Sequence, residues 1–134
     1  MILRLQHRHV DLFKQETQKV LPVEACALLF GKQTVNETYV EKVEFVDNAL
    51  QSEVNFLVDP ATVVALFTTA EQEGLEFIGL FHSHPSPAVP SVVDLNAMRL
   101  WPDTFWVILS STSWKLAAYG LVGGDVKEVN IIVY

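Results

Sequence analysis

The chain has 134 residues, enough for one domain spanning 1–134, and half of them are hydrophobic, so a substantial core can be buried. Nine basic and sixteen acidic residues leave a net charge of −7, the wrong sign for a nucleic-acid footprint. No run of about 18 apolar residues reads as a membrane span. The opening MILRLQHRHVDLF is too charged for a signal peptide, and the one cysteine, Cys26, permits no intrachain disulfide, so a cytoplasmic protein is expected.

Residues 2–4 suit a short strand. From 6 to 21, Val10, Phe13, Thr17, Val20 and Leu21 recur at helical spacing, which predicts a helix with one buried stripe, ended by Pro22. His7 and His9 lie at its start, where their side chains diverge by about 200°; both are expected at the surface. EACALLFGK (24–32) reads as a buried strand closed by Gly31. TYVEKVEFV (38–46) alternates through Tyr39, Glu41, Val43 and Phe45 in one register, as a half-exposed strand would. PATVVALFTTAEQEG (60–74) is a second helix, with Asp59 as cap, Pro60 in its first turn and Gly74 at its end. LEFIGLFHSH (75–84) is a strand, PSVVDLNAMRLWP (90–102) a third helix, and TFWVILSS, WKLAAYGL and VKEVNIIVY three closing strands. The order predicts an α/β fold with a mixed central β-sheet flanked by helices.

The fourth strand ends unusually. In FHSHPSPAVPSVVD (81–94), strand alternation points His82 and His84 to one face and Ser83 to the other. Pro85 breaks the strand, a short loop leads to Ser91, and Asp94, one turn into the third helix, can reach back toward the same point. Two histidines and one aspartate make three protein ligands, the number a catalytic zinc site uses while keeping a position for water. Zinc bound there would lower the pKa of that water to about 7 and polarise a carbonyl. Each residue also has a plainer reading. A His pair on a strand can be a surface or core feature, Ser91 and Asp94 alone make a helix capping box, and Glu24 alone is a solvated strand end.

His-Ser-His-Pro followed by Ser-x-x-Asp, with a Glu upstream in an apolar strand, resembles the JAMM (MPN+) zinc metallopeptidases. PVEACALLFG (22–31) looks like that family's Glu-bearing strand, and the run from Asn48 through Ser52 and Phe56 to Asp59-Pro60 looks like its prokaryotic and archaeal members. The resemblance spans residues 12–111 and implies a cytidine-deaminase-like MPN core. It implies one zinc per chain on His82, His84 and Asp94, Glu24 as the general base that passes a water proton to the leaving amine, and Ser91 as hydrogen-bond donor to the oxyanion. A carboxyl group in the apolar surroundings of ACALLF should have a raised pKa, as a base working near neutral pH requires. Two positions depart from the pattern: six residues separate His84 from Ser91 where the family has seven, and Ala27 stands where glycine is usual. The insertions by which eukaryotic relatives grip two ubiquitins are absent, as is a second, structural zinc site.

By resemblance the substrate is a small ubiquitin-like modifier or sulfur-carrier protein, cut after its C-terminal Gly-Gly. Such a tail could add as a strand beside an exposed sheet edge, with residues 51–58 as the docking segment. No nucleic-acid or membrane partner is expected, and a homodimer stays open. Three alternatives stand beside this: a peptidase releasing one amino acid from a carrier protein, a non-catalytic MPN-type interaction module, and a 2-His-1-carboxylate iron enzyme.

Overall fold

The computed structural model describes residues 1–48 and 59–134. Among these, seven strands and three helices follow the expected order: β1 (Ile2–Leu5), α1 (His7–Val20), β2 (Cys26–Gln33), β3 (Glu37–Val46), α2 (Pro60–Gln72), β4 (Glu76–His84), α3 (Val92–Leu100), β5 (Phe105–Ser110), β6 (Leu116–Val122) and β7 (Asp125–Val133). The α/β class and mixed sheet are as expected. The strand order is β1-β3-β2-β4-β5-β6-β7, and β1 pairs in parallel with both β3 and β7, which closes the sheet into a barrel. β4 and β5 are also parallel, with His84 opposite Ser110.

Closure limits the free edges of the described sheet. Every described strand has a neighbour on both sides, and open stretches remain only where a neighbour runs out, as on β3 beyond Tyr39, where β1 stops. Residues 51–58 lie outside the described residues.

Each strand near the site is buried on both faces, for a different reason on each. Ala27 and Leu29 of β2, Phe81 of β4 and Val107 of β5 form the main core with Phe13 of α1. Phe13 stacks on Phe81 at 4.1 Å and meets Phe45 edge-on at 6.4 Å. On the other face, Leu28, Phe30 and Leu80 pack under Val63, Leu66, Phe67 and Ala70 of α2. α2 starts as expected, with Asp59 Oδ2 accepting from the Thr62 amide at 3.2 Å and Pro60 in its first turn.

Two expectations are corrected here. His9 is not at the surface but 1 % exposed, whereas His7 is exposed. The 200° divergence does hold, and it turns His9 inward: positions 9, 13 and 17 share one helix face, and His9, Phe13 and Thr17 are the buried residues of α1. Leu21, assigned to that stripe, lies past the helix end and is 47 % exposed. Burial lowers the His9 pKa to about 4, so the ring is neutral near pH 7.

β3 does not keep one register. Opposite the step from Phe30 to Gly31, its pairing jumps from Lys42 to Val40, so Glu41 is an extra, bulged residue. The bulge reverses the alternation. Thr38 and Val40 are buried before it, and Val43 and Phe45 pack on the core after it. A regular strand would have exposed one pair or the other.

The functional strand is held tightly at Gly79, paired with Leu29 on one side and Phe105 on the other. A Cβ there would run into the Phe105 carbonyl. Gly79→Ala is expected to lower stability by about 1–3 kcal/mol, the usual range for overpacking. Denaturant unfolding checks this; an unchanged midpoint would mean that β4 and β5 separate easily.

Candidate metal and catalytic site

β4 carries the first two functional side chains. His82 and His84 alternate with Ser83, as expected, and all three are buried, at 0 %, 5 % and 2 % exposure. The two imidazole Nε2 atoms lie 3.0 Å apart. The Trp106 ring stands edge-on to His82 at 5.7 Å, backing it from β5. The six-residue loop after His84 is pinned where it passes β6: the Tyr119 hydroxyl donates to the Ala88 carbonyl at 2.6 Å. The turn after β5 holds its start, since the Ser111 amide and hydroxyl both donate to the His84 carbonyl, at 2.6 and 3.1 Å.

The loop then delivers Ser91 as the N-cap of α3. Ser91 Oγ accepts from the Asp94 amide at 3.1 Å, and Asp94 Oδ2 accepts from the Ser91 amide at 2.9 Å, which completes a capping box. The same Oδ2 lies 3.2 Å from both His82 Nε2 and His84 Nε2. The capping box and the cluster were alternatives in the sequence; the structure contains both, made by one carboxylate.

Three donor atoms therefore form a triangle with sides of 3.0–3.2 Å. Zinc with tetrahedral bonds of about 2.0–2.1 Å holds its ligands about 3.3 Å apart, so the triangle is close to the size one such ion needs. Two imidazole nitrogens and a carboxylate oxygen facing one point also demand positive charge between them, as a proton or a cation. Burial presses the Asp94 carboxyl upward, but the hydrogen bonds from both histidines overcome it and hold the group well below the usual carboxylate range. Burial lowers the His82 pKa against the pull of Asp94. At His84 burial also works downward, but Asp94 and Glu24 outweigh it and the pKa rises.

Glu24 sits just before β2, and donor atoms of Glu24, His82 and His84 all lie within 4.8 Å of one another. Glu24 thus stands beside the two histidines that form the triangle with Asp94. Glu24 is 3 % exposed, and neither carboxylate oxygen has a hydrogen-bond partner among the described residues. Burial pushes its pKa up to about 8, with His84 pulling it down and Asp94 adding to the rise. This excludes the solvated strand end and agrees with the expected direction. Glu24 also borders a cavity of about 300 Å³ walled by Val20, Val23, Val46 and Asp47.

The fold and the site together define an α/β barrel protein whose buried two-histidine, one-aspartate cluster fits a single divalent cation. A profile of prokaryotic homologs of the JAB domain matches residues 6–121. The chain is 40 % identical over 112 residues to a desampylase of Pyrococcus furiosus, covering 83 % of this chain and 76 % of that one. It is 29 % identical over 114 residues to a desampylase of Haloferax volcanii, covering 84 % and 79 %. A solution structure of a Desulfitobacterium hafniense protein superposes with a TM-score of 0.84 at 28 % identity, over all of this chain and 93 % of that one. The chain belongs to the JAMM (MPN+) family, as a member of its prokaryotic, JAB-domain branch.

Proposed function

We propose that this protein is a zinc-dependent isopeptidase that cuts the amide bond after the C-terminal Gly-Gly of a small ubiquitin-like modifier or sulfur-carrier protein. The observation that carries this reading is the convergence on the His82–His84–Asp94 triangle of a buried Glu24 carboxylate that has no hydrogen-bond partner among the described residues. A non-catalytic interaction module has no use for burying a carboxylate beside two histidines, which costs stability. The two desampylase relatives support the choice of a ubiquitin-like substrate. The family's mixed fold stands against an all-β iron oxygenase.

His82 Nε2, His84 Nε2 and Asp94 Oδ2 would hold the zinc. When bound, zinc supplies Lewis acidity toward water and toward the scissile carbonyl. Glu24 takes the proton of the attacking water and returns it to the leaving amine, so no proton is gained or lost overall. A raised pKa suits both halves of that transfer, and a cation beside Glu24 would bring the value down from about 8 toward neutrality. Ser91 Oγ already accepts the Asp94 amide, which leaves its own proton to donate to the developing oxyanion. On this reading the protein works on conjugates in the cytoplasm.

The test is release of free modifier from a lysine-linked conjugate ending in Gly-Gly, compared with a carrier–cysteine adduct. Wild-type protein loaded with zinc should cleave the first, and Ser91→Ala should lower kcat by about 10²–10³-fold. If Ser91 is only a cap, the substitution should instead cost about 1 kcal/mol of stability and leave turnover intact. Cleavage of the cysteine adduct alone would change the substrate to a carrier protein releasing one amino acid. Cleavage of neither would end the isopeptidase reading.

A further inference from the structure

We infer that Ser83 is a positioning residue for the reaction: its hydroxyl grips the peptide unit that carries Glu24 and so sets where the Glu24 carboxylate stands beside the two histidines. The inference rests on the isopeptidase reading above.

Ser83 lies between the histidines but points to the opposite strand face, and it is 2 % exposed. Its Oγ accepts from the Ala25 amide at 2.9 Å, and its own amide donates to the Ala25 carbonyl at 3.0 Å. The peptide unit joining Glu24 to Ala25 therefore has its N–H held by the Ser83 side chain. Its other polar atom, the Glu24 carbonyl, accepts from Asn48 Nδ2 at 3.4 Å, from just past the end of β3. Two side chains, one on β4 and one just past β3, thus hold both polar atoms of one peptide unit.

This grip falls where it has consequences. The pairing of β2 with both β3 and β4 begins at Cys26, so Glu24 stands before the paired region that would otherwise fix its backbone. At the other end, its carboxylate has no hydrogen-bond partner among the described residues. The carboxylate is therefore aimed from its backbone end, through the peptide unit that Ser83 holds. Because Ser83 shares its strand with His82 and His84, the hydroxyl ties base and ligand pair into one rigid unit. A displacement of about 1 Å in such a group can cost about 10²-fold in rate.

A hydroxyl that merely satisfied a buried amide would affect stability and nothing more. The experiment therefore measures zinc content, kcat and KM on the lysine-linked conjugate, well below the unfolding temperature. It uses Ser83→Ala, Ser83→Thr, Glu24→Gln and the Ser83→Ala/Glu24→Gln pair. Ser83→Ala is expected to keep one zinc per chain, hold KM within about twofold and lower kcat at least about tenfold, with Ser83→Thr restoring most of the loss. In the Glu24→Gln background the same substitution should cost nothing further, because its effect runs through Glu24. Unchanged kcat in folded, zinc-loaded Ser83→Ala, or a loss that adds in full to that of Glu24→Gln, would overturn the inference. If Ser83→Ala does not fold, Asn48→Leu tests the same peptide unit from its other side: a kcat loss with zinc retained supports the grip, and unaltered kcat rejects it. A zinc-loaded wild type that cuts no conjugate sinks the isopeptidase reading and this inference together, whereas failure of the grip alone leaves the wild type active.

Discussion

Glu24→Gln is expected to bind one zinc per chain, as wild type does, and to lose about 10²–10⁴-fold in kcat, the usual contribution of a positioned general acid–base. Glutamine keeps the shape and cannot take the proton. The same substitution should make the metal-free protein more stable near neutral pH. The unfolded carboxyl titrates near 4.5, while burial in the metal-free fold pushes it up to about 8. Between those values the folded chain binds a proton that the unfolded chain has released, so wild-type stability falls as pH rises through that window. At pH 7 the accumulated cost is about 3 kcal/mol at most, since one pKa unit corresponds to about 1.4 kcal/mol. Metal-free Glu24→Gln should therefore exceed metal-free wild type by up to that amount at pH 7, with the gap closing toward pH 4.5. Denaturant unfolding of both proteins at several pH values measures it. A variant less stable than wild type across the whole range would show that the carboxylate has a stabilising partner after all.

Loss of a ligand should show first in the metal. His82→Ala and Asp94→Ala are each expected to weaken zinc binding by more than about 100-fold, beyond what outer-shell substitutions usually cost. The two should differ without metal. Asp94→Ala also removes the acceptor for the Ser91 amide and opens the capping box of α3, at about 1 kcal/mol. His82→Ala leaves the cap intact but empties a fully buried site against Trp106. His7→Ala, on the exposed side of α1, should change neither property. Elemental analysis after dialysis against a weak chelator, with thermal unfolding of the metal-free proteins, separates these outcomes. Equal metal loss in His7→Ala would refute the ligand assignment.

A buried carboxylate, buried histidines and a strand locked at Gly79 describe a site that trades stability for chemistry, and the compensation comes from packing around it. The stacked Phe13–Phe81 pair lies on the opposite face of β4 from the histidines. The Tyr119 and Ser111 hydrogen bonds hold the loop that joins the histidine pair to Ser91. That loop is one residue shorter than the family pattern, yet Ser91 still caps α3 and Asp94 still meets both imidazoles.

Much of this was legible in the chain. Every described element appears in the expected order, although β2 runs past Gly31 to Gln33, because a strand's two-residue repeat and a helix's 3.6-residue repeat are local properties. The same two-residue repeat put His82 and His84 on one face, and the Ser-x-x-Asp spacing brought Asp94 within one turn of them. What the sequence could not decide depended on which groups meet across the fold. The bulge at Glu41 exists because β3 must match Gly31 on β2 while keeping both of its halves on the core. His9 is buried because the sheet closes around the face that Phe13 and Thr17 define. Ser83 has no evident task in its tripeptide, where it points away from the two histidines. Its role appears only when the segment before β2, 58 residues earlier in the chain, packs against it and presents the Ala25 amide, since a hydrogen bond at that separation leaves no periodic trace in the sequence.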